Sequence, residues 1–294
     1  MKLQALRDRL LLQEDLNFLL TNRVPRALLT RAMGWYSGLR SPWLAALSIR
    51  VWRLFTDLDL GEAKQQRFNS LQECFTRELK PGARPIEPDP ALLASPCDAI
   101  VGACGAVQGT QVFQAKGFPY TLQELFGGGP EAAHWAEHYR DGSYVTLRLT
   151  SAMYHRFHAP HALRLDEVTY IAGDTWNVNP IALQRIERLF CRNERALLPC
   201  TLQVPGEPVL MLVPVAAILV ASLKLHALGT LLHPRYRGPD RIATDARHAK
   251  GDEMGWFQHG STIIVFAPRG FTLCEGVTTG RRVRMGQRLM RLPG

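Results

Sequence analysis

A chain of 294 residues with 46% apolar and 21% charged residues has the make-up of an ordinary folded protein of one or two domains. Its net charge of +9 and isoelectric point near 9.5 favour an anionic partner, with nucleic acid and anionic lipid as the obvious candidates. No apolar h-region follows Met1-Lys2-Leu3-Gln4, and the longest apolar run, residues 209–221, is broken by Pro214 and falls short of the ~20 residues a spanning helix needs, so neither a signal peptide nor a transmembrane helix is expected. The six cysteines form no C-x-x-C pair and are read as reduced thiols on the cytoplasmic side.

Residues 16–56 hold Arg23, Arg26, Arg31, Arg40, Arg50 and Arg53 and no acidic residue, interleaved with Leu, Trp and Phe. Pro25 and Pro42 divide this stretch into two or three short helices, and Leu44, Leu47, Val51 and Leu54 recur at helical spacing. An apolar face with flanking Trp and opposing Arg suits a helix lying in a membrane interface; a helical arm packed on its own domain is the plain alternative. Nucleic acid fits less well, because the aromatics lie on the apolar faces rather than among polar side chains.

After residue 68 short β-type runs alternate with turns. Strands are expected over 99–107, 111–113, 144–149, 168–171, 209–220 and 261–266, with helices over 121–126, 131–139 and 182–190. The tail, 271–292, reads as strands punctuated by Gly276, Gly280 and Gly286. The expected class is α+β: a helical N-terminal arm (1–64) and a β-rich catalytic body (65–294).

Three places can carry chemistry. Asp98 follows Ser95-Pro96-Cys97 in a turn before a strand, where an Asp commonly bonds its own backbone. His155 and His158 stand three apart in Tyr154-His155-Arg156-Phe157-His158-Ala159-Pro160; no third ligand is apparent, so no metal is expected. The Gly260-Ser261 bond opens a β-branched run, 262–266, and Gly permits the backbone conformations that bring its carbonyl within reach of a Ser hydroxyl. An Asp, a His and a Ser together suggest an oriented base activating a hydroxyl, yet no G-x-S-x-G elbow is present.

In order and wording these segments resemble the phosphatidylserine decarboxylase family, in its bacterial membrane-associated branch. The resemblance covers about residues 16–294. It rests on Ser95-Pro96-Cys97-Asp98, Gln114-Ala115-Lys116-Gly117, the Tyr154–Pro160 segment, Gly173-Asp174 with Asn177-Val178-Asn179, Asn193-Glu194-Arg195, Lys250-Gly251-Asp252-Glu253-Met254-Gly255 and Gly260-Ser261-Thr262-Ile263-Ile264-Val265-Phe266.

The resemblance implies a proenzyme that cuts itself between Gly260 and Ser261, giving residues 1–260 and 261–294, which stay associated. Ser261 would attack the Gly260 carbonyl with His158 as base, held by Asp98, and residue 261 would become a covalent pyruvoyl cofactor. That group would form a Schiff base with phosphatidylserine, with His155 protonating the carbon that loses carbon dioxide, to give phosphatidylethanolamine. Peripheral attachment to the cytoplasmic side of the cell membrane, through an anionic surface, is implied, and nucleic acid is not. A homodimer is allowed, and the oligomeric state is not set by the sequence.

The chain departs from the family pattern at His259, at Ala99 and at Ala216 and Ala221, where Gly is usual in the last three; methyl groups there would narrow a substrate pocket. His259 is read as a spectator, and Lys116 as a surface turn residue or a phosphate contact. Two alternatives follow: an unprocessed phospholipid-binding relative without decarboxylase activity, and, behind it, a serine hydrolase acting through Ser261.

Overall fold

The computed structural model describes residues 26–114, 118–219, 222–233, 235–258 and 261–294. Residues 1–25 of the arm, together with Lys116, Ala221, His259 and Gly260, lie outside the described residues. The α+β expectation holds: helices gather at the N-terminus and strands dominate thereafter.

The body is built on an eight-stranded sheet. Its spatial order is Arg241–His248, Leu163–Ile171, Arg195–Leu202, Val209–Val215, Thr262–Ala267, Ser143–Arg148, Ala99–Ala106 and Arg282–Val283, with every neighbouring pair antiparallel. All six residues of Thr262–Ala267 are buried, because the strand is covered on both faces and hydrogen-bonded on both sides. The outermost strand, Arg241–His248, instead alternates exposed and half-buried positions. A four-stranded sheet (Leu231–Leu232, Leu223–Leu225, Glu253–Phe257, Arg156–His158) shares the same apolar core, through pairs such as Phe157 and Phe257 with ring centres 5.6 Å apart.

Pro42 starts a helix, Pro42–Phe55, after Ser41, whose hydroxyl accepts the Leu44 N–H; Pro has no N–H to lose at that position. The preceding helix, Arg26–Gly38, is tied to it by the Tyr36 and Ser48 hydroxyls, 2.6 Å apart. A separate apolar cluster of Ile49, Leu58, Leu60, Ala63, Phe68, Leu71, Cys74 and Phe75 seats these helices, so the packing runs across position 64 into the short helix Leu71–Phe75. The helix Pro42–Phe55 buries Ala45 and Ile49 and leaves Leu47, Val51, Leu54 and Phe55 exposed.

Several elements differ from their expected bounds. The apolar run over 209–220 is a strand only to Val215, and Ala216-Ala217 continue buried into a turn. The expected helix over 182–190 is two short helices, Pro180–Arg185 and Leu189–Arg192, separated where Arg188 takes a left-handed conformation (φ 53°). In the tail, Gly276, Gly280 and Gly286 all have φ between 83° and 88°, as turns between short strands require.

Candidate active site

Ser261 sits at the head of the central strand. Its N–H donates to the Leu149 carbonyl (3.2 Å) and its carbonyl accepts the Leu149 N–H (2.8 Å), so the backbone at this point is clamped on one side. The side chain is completely buried, and its Oγ has no hydrogen-bond partner among the described residues. A buried hydroxyl without a partner costs roughly 1–3 kcal/mol. The neighbouring Thr262 Oγ1 is in the same position.

His155 precedes the strand Arg156–His158 and His158 is its last residue; both are buried, but their rings are held differently. His158 Nδ1 lies 2.9 Å from the Gly251 carbonyl, which can only accept, so Nδ1 carries the proton. Nε2 is left with its lone pair, and the Tyr154 hydroxyl, 3.0 Å away, donates to it. Burial holds the His158 pKa below the usual histidine range. This imidazole is therefore neutral with a free-base nitrogen, the state a general base requires.

His155 Nε2 lies 3.0 Å from the Thr150 carbonyl and so bears the proton. Burial is the main force on this ring and lowers its pKa to about 4, against the opposing pull of the Thr150 and Phe75 carbonyls. The ring also stacks on Phe75 (centres 5.8 Å apart, 28° between planes), which in turn meets Trp52 of the arm edge-on at 5.5 Å. Aromatic contact thus runs from the arm to His155. Since Thr150 adjoins Leu149, the partner of Ser261, and Phe257 N–H donates to the His155 carbonyl, the two segments that carry Ser261 and His155 are stitched together.

No hydrogen bond joins Asp98 to His158 among the described residues. Asp98 Oδ1 accepts from Arg84 Nε (2.8 Å) and from the Met285 N–H (2.9 Å), and its Oδ2 lies 2.5 Å from Arg84 Nη2. Arg84 spends another donor on Glu62 (2.7 Å). The tautomer of His158 is fixed by a backbone carbonyl instead, and Asp98 reaches it at one remove: the Pro96 carbonyl of the same turn accepts the His158 N–H (2.8 Å). No hydrogen bond joins Ser261 Oγ to either histidine among the described residues. Arg84, Tyr154 and Gly251 were not assigned roles from sequence. Arg84 lies in a Pro- and Gly-bearing loop that reads as surface, and only its burial betrays it.

This geometry can be set beside known proteins. A family model described as phosphatidylserine decarboxylase matches residues 71–291. The chain belongs to the phosphatidylserine decarboxylase family. Relatives named phosphatidylserine decarboxylase proenzyme include those of Erwinia tasmaniensis (35% identical, covering 92% of each chain) and Sodalis glossinidius (36%, covering 92% of this chain and 93% of the relative). The Halorhodospira halophila protein of the same name is 37% identical over 92% of this chain and 91% of its own.

Most of the segments that carry the family resemblance prove to be fasteners around the site. Gln114 is buried and donates to the Leu183 and Ile186 carbonyls while accepting from Leu189 N–H. Asn193 bonds Trp176 in both directions and the Ala216 carbonyl, and Arg195 donates to the carbonyls of Leu125, Cys191 and Asn193. Arg156 grips both oxygens of Glu253 at 2.9 and 3.0 Å, which joins the histidine segment to the strand leading toward Ser261. A β-carbon at Gly255 would collide with the Lys224 carbonyl, so this family glycine is needed for close strand approach.

Proposed function

We propose that this chain is a proenzyme that cleaves itself between Gly260 and Ser261 and, with a pyruvoyl group at residue 261, decarboxylates phosphatidylserine to phosphatidylethanolamine at a membrane surface. The observation that carries this reading is Ser261 itself: a completely buried hydroxyl without a partner among the described residues, at the entrance of the central strand, in a chain of this family. Residue 261 fits conversion to a pyruvoyl group. Its Oγ has no hydrogen-bond partner among the described residues, and its carbonyl is anchored to Leu149.

His158 is the base in this scheme, with the Nε2 lone pair turned to Tyr154. Ser261 Oγ, losing its proton, adds to the Gly260 carbonyl and the peptide nitrogen leaves, so an ester replaces the amide. Removal of the Ser261 α-proton then expels the Gly260 carboxylate and leaves dehydroalanine. Its imine tautomer takes up water and releases ammonia. Asp98 acts as a positioning residue, since Arg84 and Met285 lock the turn whose Pro96 carbonyl seats His158.

A pyruvoyl carbonyl supplies the sink for the electron pair released when an α-amino acid loses carbon dioxide, which no ordinary side chain offers. The serine head group arrives as an ammonium that must shed a proton before its nitrogen reacts. His155 protonates the carbon that loses carbon dioxide in this scheme.

The arm supports the membrane part of the reading. Trp43 is 74% exposed, Trp35 70% and Leu54 67%, and with Leu28, Val51 and Phe55 they leave a large apolar surface in water. Arg31, Arg50 and Arg53 on the same helices, and Arg40 between them, are exposed and suit an anionic leaflet. No helix among the described residues is long and apolar enough to cross a membrane, so the attachment proposed is peripheral.

An intact-mass spectrum of purified protein tests the proposal: a 34-residue product covering residues 261–294 should appear, with a pyruvoyl N-terminus that resists Edman degradation. Ser261→Ala should remain a single chain. Wild-type protein that stays intact, releases no carbon dioxide and still binds vesicles would instead identify a phospholipid-binding relative.

A further inference from the structure

Arg148 ends the strand Ser143–Arg148 and pairs across the sheet with Thr262, the residue next to Ser261. It is half-buried, and burial lowers the pKa of its guanidinium, yet no hydrogen bond or ion pair engages that guanidinium among the described residues. The guanidinium groups of other arginines in similar surroundings are engaged. Arg77 donates to the carbonyls of Cys74 and Ala152, Arg195 to a set of backbone carbonyls, and Arg84 and Arg156 to carboxylates. A desolvated cation without a counter-charge is costly, which makes Arg148 a group that awaits an anion.

The anion has a place to bind. Arg148 lines a cavity of about 430 Å³ together with Leu149 and Thr150, the partners of Ser261 and His155, and with Val178, Ile218 and Trp52. Trp52 belongs to the helix that also exposes Val51, Leu54 and Phe55, so one wall of the cavity comes from the helix with the exposed apolar face.

From this juxtaposition we propose that Arg148 is a substrate-binding residue that holds the phosphodiester of the lipid head group; the inference rests on the decarboxylase reading above. The chemistry selects the phosphodiester. Of the three charged groups on phosphatidylserine, the ammonium reacts and the carboxylate leaves as carbon dioxide, so only the phosphodiester keeps its charge throughout. A cation fixed on the carboxylate would stabilise the ground state more than the transition state and slow its loss. Held on the phosphodiester, it binds both states alike, and a guanidinium matches two phosphate oxygens at once.

The test compares phosphatidylserine with its phosphate methyl triester, in vesicles whose phosphatidylglycerol content is held constant. Wild-type protein should show a KM for the uncharged triester higher by roughly tenfold or more, with a smaller change in kcat. Arg148→Gln should still yield the 34-residue product, raise the KM for phosphatidylserine by a similar factor and treat the two lipids alike, and Arg148→Lys should recover part of the loss. Equal KM values for the two lipids in wild-type protein, or an unchanged KM in Arg148→Gln, would overturn the assignment. If Arg148→Gln fails to cleave, the wild-type lipid pair and Arg148→Lys decide. A wild-type protein that neither cleaves nor releases carbon dioxide from either lipid would defeat the decarboxylase reading itself, and this inference with it.

Discussion

The helix Pro42–Phe55 and the strand Thr262–Ala267 are both rich in apolar residues, and the fold treats them in opposite ways. The strand buries all six of its residues between two neighbouring strands; the helix buries only Ala45 and Ile49 and turns Leu47, Val51, Leu54 and Phe55 outward. Apolar content therefore does not decide the destination of a segment. The strand is hydrogen-bonded on both sides and covered on both faces, whereas the helix packs on the body through one side only.

The comparison breaks hardest at Phe266. This ring is fully buried, meets Phe126 edge-on at 5.6 Å and stacks on Tyr144, so Phe266→Ala should cost about 3–5 kcal/mol in denaturant unfolding. A loss under about 1 kcal/mol would mean that the body is as loosely packed as the arm.

Two buried ionisable groups sharpen the contrast through pH. His155 has a pKa of about 4 when folded and near 6.5 when unfolded, so the unfolded chain binds the extra proton and stability falls as pH drops from about 6.5 to about 4. The effect is on the order of 3 kcal/mol and should be missing from the melting curves of His155→Gln.

Glu194 has the opposite sign. Burial raises its pKa to about 7 in the folded state, against a pull downward from the Tyr170 hydroxyl, so its contribution is present at low pH and lost as pH rises from about 4.5 to about 7. Glu194→Gln should therefore be relatively more stable at pH 8 than at pH 5, again by at most ~3 kcal/mol.

The smallest effect on stability belongs to the arm. Leu54→Ser combined with Phe55→Ser should change unfolding by no more than about 0.5 kcal/mol, because both side chains are already in water. The same pair should weaken binding to anionic vesicles roughly tenfold in a flotation assay. A large drop in stability with unchanged vesicle binding would show that the face packs on the protein instead.

Where a segment declared a single period, its element could be read directly. The β-branched run 262–266, the Pro42 helix start and the Gly-punctuated tail are all present close to their expected bounds. Arg195–Leu202 escaped notice because Pro199 argues against a strand, although it lies inside the sheet. Arg241–His248 was missed because an edge strand with half its positions in water carries little apolar signal, and Glu253–Phe257 because it is short and contains Gly255. Of the site, His155, His158, Asp98 and Ser261 were named from their motifs, but the partners of Asp98 and His158 were not, since Arg84, Met285 and Gly251 are distant in the chain.

The sequence alone determined the family, the α+β class and the basic, aromatic make-up of the arm, and named the candidate site residues, because these depend on local patterns and on spaced motifs that survive unaligned. Only the tertiary structure decided that a backbone carbonyl sets the His158 tautomer, that Asp98 is claimed by Arg84, that burial lowers the pKa of His155 and that Arg148 has no ion-pair partner among the described residues beside the candidate site. Each of these is a matter of which groups are left in water and which find a partner, and partners separated by scores of residues become neighbours only when the sheet is assembled.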